Sequence, residues 1–176
     1  MVKKYVLTGG PGAGKTSLLL HLEILGETII REAAEDLIRY QKAVGVAAPR
    51  LDLDFEENVL KLQLSREVNI NPKLHRVFLD RGLLDVFTYY RFLNRNPSQL
   101  MQSVIQRLQQ EKVYEKIFII EHQGVMENTV FRGENLEEAL MLEKLQEESY
   151  RQFGYEVIRV PSGSIEERTK IILSNL

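Results

Sequence analysis

Gly9-Gly10-Pro11-Gly12-Ala13-Gly14-Lys15-Thr16 is the stretch that decides how this chain is read. It fits the pattern G-x-x-x-x-G-K-[ST], and it stands directly after the apolar run Tyr5-Val6-Leu7-Thr8 and before an apolar helical run at 17–25. Glycines here permit backbone angles and close approaches that side chains forbid, so successive N–H groups can ring an anion at a helix N-terminus. The spacing predicts that Gly9, Gly10, Pro11, Gly12, Ala13, Gly14, Lys15, Thr16 and Ser17 hold a nucleoside triphosphate. Lys15 would reach the β and γ phosphates, and the Thr16 hydroxyl would join the shell of a Mg²⁺ ion. A chance match of this pattern in a chain of this length arises about once in a few hundred sequences, before the strand and helix flanks are required.

Working outward, five short runs rich in Val, Ile, Phe or Tyr read as strands at 5–8, 28–31, 76–80, 116–120 and 156–160. Between and after them, helical signals cover 15–25, 33–44, 54–70, 83–93, 98–111, 136–153 and 164–173. Strands alternating with helices predict an α/β fold in three layers around a parallel sheet. Asp54 with Glu57, and Ser164 with Glu167, have the spacing of a reciprocal helix cap. Asn96-Pro97 and the stretch Gly45-Val46-Ala47-Ala48-Pro49 mark breaks. No Pro/Ser-rich linker or internal repeat interrupts the pattern, so residues 1–176 read as one triphosphate-binding domain.

The composition narrows the function classes. The chain has 176 residues, 23 Lys plus Arg against 25 Asp plus Glu, 44% hydrophobic residues and no cysteine. Disulfides, thiolate zinc sites and a thiol nucleophile are excluded. The charge balance provides no broad basic field, and the longest Lys/Arg run is Lys3-Lys4, so no nucleic-acid partner is expected. No segment approaches the roughly 18 uninterrupted apolar residues of a membrane span. The expectation is a soluble, cytoplasmic protein.

In open α/β sheets ligands gather at the carboxyl ends of the strands, and three places there are polar. The third strand runs into Asp80-Arg81-Gly82: the carboxylate is suited to Mg²⁺ and the guanidinium to phosphate oxygens, although an acid and base closing a strand also make a plain surface ion pair. The second strand ends at Arg31-Glu32, where Glu32 reads either as a base for an attacking hydroxyl or as a glutamate favoured by a helix N-terminus. The stretch Glu127-Asn128-Thr129-Val130-Phe131-Arg132-Gly133 reads as a lid carrying Arg132 or as an ordinary loop. His21, His75 and His122 lack metal-ligand spacing. The glutamates 134, 137, 138, 143, 147 and 148 read as the solvated face of a helix.

Lys4 to Thr16, then Ile29-Ile30-Arg31-Glu32-Ala33-Ala34, Phe78-Leu79-Asp80-Arg81-Gly82 with Asp85, Phe131-Arg132 and Val157-Ile158-Arg159-Val160-Pro161 together resemble the AAA-ATPase-like P-loop domain family that groups with nicotinamide-ribose kinase. The resemblance implies a five-stranded parallel sheet in the kinase-like order 2-3-1-4-5, use of ATP or GTP with Mg²⁺, and phosphoryl transfer to a small nucleoside-like or phosphorylated acceptor. Its lid differs from kinases that carry several arginines, since Arg132 stands alone before Arg151. The roles that follow are Lys15 and the loop amides on the donor, Thr16 and Asp80 on the metal, Arg81 and Arg132 on the transferring group, and Glu32 on the acceptor hydroxyl. The alternative is a regulatory module that binds a nucleotide, hydrolyses it slowly and contacts a protein partner. Arg39, Arg50 and Arg66 lie where kinase-like folds place the acceptor, and two of them converging on the cleft would favour a phosphorylated one. Tyr89, Tyr90 and Phe92 read as core or as a stacking surface for an acceptor ring.

Overall fold

A computed structural model describes residues 2–124 and 135–176 of the chain. Five strands, β1 (Lys3–Thr8), β2 (Ile29–Ile30), β3 (Arg76–Asp80), β4 (Lys116–Ile120) and β5 (Val157–Val160), form one sheet. Its order is β2-β3-β1-β4-β5 and every pairing is parallel. The helices are α1 (Lys15–Ile24), α2 (Ala33–Ala43), α3 (Phe55–Val68), α4 (Leu83–Phe92), α5 (Gln99–Gln110), α6 (Leu136–Gln152) and α7 (Ile165–Ser174). A 3₁₀ turn at Pro49–Leu51 bridges α2 and α3.

Successive strand side chains point to opposite faces, and this alternation builds two cores. Val6, Val77, Leu79, Ile117 and Ile119 pack under α2 to α6 with Leu60, Leu84, Met101 and Tyr150. Tyr5, Leu7, Phe78, Phe118 and Val160 pack under α1 and α7 with Leu18, Leu22 and Ile172. Being buried on both faces, the central strands are almost wholly apolar, as a parallel sheet covered by helices requires. Parallel strands present their carboxyl ends together, so the ends of β1, β2 and β3 deliver Gly9, Glu32 and Asp80 to one rim.

The helix caps differ in part from the sequence expectation. Ser164 and Glu167 form the reciprocal cap of α7. At α3 the Asp54 side chain makes no cap bond; its backbone N–H donates instead to Asp52 Oδ1 at 3.0 Å. Asp54 sits at φ −91°, ψ 5°, away from the extended conformation that aims a cap side chain at the helix amides. A second reciprocal cap joins Asn135 and Glu138 at the start of α6. The glutamates of α6 also divide: Glu137 and Glu148 are exposed, whereas Glu143 is buried. Glu143, Glu147 and Glu121 all bond Arg159 on the edge strand β5. No helix among the described residues is long and apolar enough to cross a membrane.

Candidate functional site

The phosphate loop begins where β1 ends. Gly9 adopts φ 133°, and a Cβ there would stand 2.4 Å from the Ile120 carbonyl oxygen, so only glycine passes between β1 and β4. Gly14 caps α1 in the left-handed conformation, φ 87° and ψ 16°, turning the chain into the helix with its first amides facing the hollow. Pro11, Gly12, Gly14, Lys15, Thr16 and Ser17 line the cavity above the loop. Gly9, Gly10 and Ala13 are buried and support it.

Lys15 is 5% exposed, and its Nζ donates to the carbonyls of Gly9 at 3.0 Å and Gly10 at 2.9 Å. Burial, and then the charge of Arg81, bring its pKa down to about 8. Asp80, 2% exposed, accepts from Thr16 Oγ1 at 3.3 Å through Oδ2. Its other oxygen is buried and has no hydrogen-bond partner among the described residues. Burial, and then the nearby charge of Glu32, push the Asp80 carboxyl up to about 7. A buried carboxylate oxygen without a donor, beside a threonine hydroxyl, suits a hard divalent cation that takes oxygen ligands.

Arg81 turns the chain at the end of β3 with φ 70°, a left-handed conformation uncommon outside glycine. Its Nε donates to Glu32 Oε1 at 3.0 Å, and its Nη1 donates to the Gly9 carbonyl at 3.1 Å and to Asp85 Oδ1 at 3.4 Å. The guanidinium also lies 5.9 Å from the centre of the Tyr89 ring. Burial alone would raise the Glu32 pKa, but the charges of Arg81 and Lys15 outweigh it and hold the carboxyl below its ordinary value. Glu32 is thus kept ionised beside the loop.

Asp85 is the hub beneath this arrangement. It accepts from the Thr8 hydroxyl, from the Gly82 backbone N–H at 2.8 Å and from the Tyr150 hydroxyl at 2.7 Å, as well as from Arg81. Gln63 Nε2 supports the same corner, donating to the Arg81 carbonyl at 3.3 Å and to Glu67 at 3.1 Å. Neither Gln63 nor Tyr150 is identified by the sequence reading, since each acts through a partner far away along the chain. Arg132 lies outside the described residues. Arg39 and Arg50 both line the cavity over the loop, whereas Arg66 is turned away to Asp36 and the Arg31 carbonyl.

A second, mostly apolar cavity adjoins the first. Phe55, Val59, Val86, Tyr89, Phe92 and Leu93 supply its walls, and Glu32, Arg50, Arg81 and Tyr89 border both cavities. The aromatic stripe of α4 therefore splits, with Tyr90 in the core and Tyr89 and Phe92 on the cavity. One cleft results, with a polar half over the glycine-rich loop and an apolar half meeting at the Glu32–Arg81 pair.

A family model described as an AAA domain matches residues 4–168. Among curated proteins, none matches. Among solved structures, NadR in complex with NR superposes with a TM-score of 0.70 at 18% identity, covering 99% of this chain and 50% of that one. The chain therefore spans about half the length of NadR. Deoxyadenosine kinase from M. mycoides with bound dATP gives a TM-score of 0.65 at 16% identity, covering 98% of each chain. Thymidylate kinase from Ehrlichia chaffeensis gives 0.66 at 17% identity, covering 99% of this chain and 98% of that one. At these identities the likeness establishes a shared fold.

Proposed function

The chain belongs to the AAA-domain family and has the kinase-like P-loop NTPase fold, and from that premise we propose that it is a phosphotransferase that moves the terminal phosphoryl group of a nucleoside triphosphate to a hydroxyl of a small nucleoside-like acceptor. The observation that carries this reading is the continuous cleft, in which the phosphate loop and an aromatic-lined cavity share Glu32, Arg50, Arg81 and Tyr89 as a common border. A transferase needs a second compartment beside its phosphate site to orient an acceptor ring and exclude water, and the apolar chamber supplies one.

The acceptor is read as a hydroxyl compound without a phosphate. The charged groups on the apolar cavity are the carboxylates Glu32, Glu56 and Asp85 and the guanidinium groups of Arg50 and Arg81. Glu56 is held by Arg95 at 2.7 Å, and Arg81 by Glu32 and Asp85. With Glu56 neutralised by Arg95, Glu32 and Asp85 balance Arg50 and Arg81, so the chamber offers a phosphate dianion no net positive charge. Arg39 lines only the cavity over the phosphate loop, where the donor's own charge is expected, and Arg50 stands on the border between that cavity and the chamber.

Loop amides and Lys15 hold the donor phosphates. Glu32 accepts the proton of the attacking hydroxyl as a bond forms between its oxygen and the terminal phosphorus. The bond from that phosphorus to the β–γ bridging oxygen breaks, and a nucleoside diphosphate leaves. Arg81 fixes Glu32 from one side and the loop carbonyl of Gly9 from the other. Thr16 and Asp80 would hold Mg²⁺, which when bound neutralises charge on the phosphate oxygens. Arg132 is the residue proposed for closure over the transferring group.

The test is to incubate the protein with Mg²⁺ and ATP or GTP, with and without nucleosides, nucleoside monophosphates and pyridine ribosides, and to follow diphosphate release. Release that depends on an unphosphorylated nucleoside or riboside supports the reading. Dependence on a monophosphate alone overturns the acceptor assignment, and slow release indifferent to every acceptor replaces the transferase with the regulatory module.

A further inference from the structure

We infer that Arg168 belongs to the donor site as a buried positive charge placed behind the phosphate loop, where it strengthens the binding of a nucleoside triphosphate without touching it. The inference rests on reading the loop as a triphosphate cradle. Arg168 stands in the first turns of α7, more than 150 positions from the loop along the chain, yet its Nη1 donates to the Ala13 carbonyl at 3.0 Å and its Nη2 to the Glu121 carbonyl at 2.9 Å. The residue is 1% exposed. Among the described residues its buried Nε has no hydrogen-bond partner, and no carboxylate forms an ion pair with it.

That is an expensive arrangement for a guanidinium, because a buried charge costs several kcal/mol unless an opposite charge offsets it. Other arginines of this chain illustrate the usual solution. Arg81, also buried, is paired with Glu32 and Asp85, and Arg159 on the surface is held by three glutamates. Around Arg168, burial depresses the pKa and the more distant charges of Glu121 and Glu143 only partly oppose it. Arginine nevertheless stays protonated in proteins, so the charge persists with no ion-pair partner among the described residues.

The missing anion has an address. A Cβ added to Gly14 would come within 3.2 Å of Arg168 Nη1, so the guanidinium sits directly under the Ala13–Gly14 peptide. In a trans peptide the carbonyl and the following N–H point in opposite directions. With the Ala13 carbonyl drawn down onto Arg168, the Gly14 N–H faces the other way, into the hollow of the loop. Arg168 thus acts twice on a phosphate bound there, by orienting one amide donor and by adding a positive charge through a poorly screened interior. It is a positioning residue, not a catalytic one.

The test compares wild type with Arg168→Met, which keeps much of the length and loses the charge, by calorimetric titration with ATP and ADP and by thermal unfolding with and without nucleotide. Arg168→Met is expected to bind ATP on the order of tenfold more weakly, with a smaller loss for ADP, while the ligand-free melting temperature holds or rises because an unpaired buried charge has gone. An ATP affinity equal to wild type overturns the inference. So does a lower ligand-free melting temperature with an undiminished shift on adding ATP, which is the signature of a merely structural arginine. If the methionine variant does not fold, Arg168→Lys decides: retained charge should keep ATP affinity within about threefold, and a tenfold loss in a folded lysine variant overturns the claim. Wild type that binds no triphosphate would instead refute the cradle itself.

Discussion

Glu32 and Arg81 are counter-ions across the mouth of the cleft, and single substitutions separate their roles. Glu32→Gln removes the proposed proton acceptor but leaves the glycine-rich loop intact, so acceptor-dependent transfer should fall on the order of 10²- to 10⁴-fold with unchanged triphosphate affinity, read by steady-state kinetics and calorimetry. The acid titration of Glu32 tests the pairing. Because Arg81 and Lys15 overcome burial and hold Glu32 below its ordinary value of 4.5, the base stays ionised: its carboxyl, followed by NMR, should titrate below that pH, while Asp80, pushed up to about 7, sets the acid limb of wild-type kcat/KM. The stability from the pair follows the same sign: it is fully present above 4.5 and is lost as pH falls through the lower folded value. In Arg81→Met burial prevails, and the Glu32 titration should move upward; a titration that stays in place would remove Arg81 as the cause. The residues at strand ends, Glu32, Asp80 and Arg81, and the loop itself were legible because local pattern announces them. Arg168, Gln63 and Tyr150 were not, because a buried polar side chain is defined by partners that only the tertiary fold brings near. Asp85 was visible as part of a motif, but its hydrogen bonds to Thr8 on β1 and Tyr150 on α6 were not.

At the scale of elements, α6 is braced directly on the phosphate loop. A Cβ at Gly10 would stand 2.3 Å from the Ala139 carbonyl oxygen, a backbone atom of α6 that has little freedom to retreat. Gly10→Ala should therefore cost about 1–3 kcal/mol by overpacking, measured by urea unfolding. At the head of the same helix, Asn135 Oδ1 accepts from the Glu138 amide at 2.9 Å, and Asn135→Ala should cost about 1 kcal/mol in the same assay. Among the described residues, the five strands and seven α-helices follow from the apolar periodicity and helix-start signals, each bounded within about two residues. The 3₁₀ turn at Pro49–Leu51 escapes that reading, since three residues carry no period. The Asp54–Glu57 spacing misleads for a related reason: a cap needs an extended cap residue as well as the right side chains, and the preceding Asp52 captures the Asp54 amide first. Asn135 and Glu138 carry the same spacing signal and form the cap.

Taken whole, the molecule separates the task of standing up from the task of binding. Leu60 is fully buried in the core beneath α2 to α6 and lines neither cavity, so Leu60→Ala should lower the unfolding free energy by about 2–5 kcal/mol while triphosphate affinity of the folded protein stays as in wild type. Conversely, saturating triphosphate at a hundred times its dissociation constant should add about 2.7 kcal/mol to either protein. A last consequence lies at the margins of the sheet. One margin is β2, only two residues long, and the other, β5, carries Arg159 ringed by three carboxylates. A strand from another molecule finds too few free peptide groups at the first and a bound ionic cluster at the second. The protein should therefore stay dispersed through heating and concentration that drive proteins with long bare margins into fibrils.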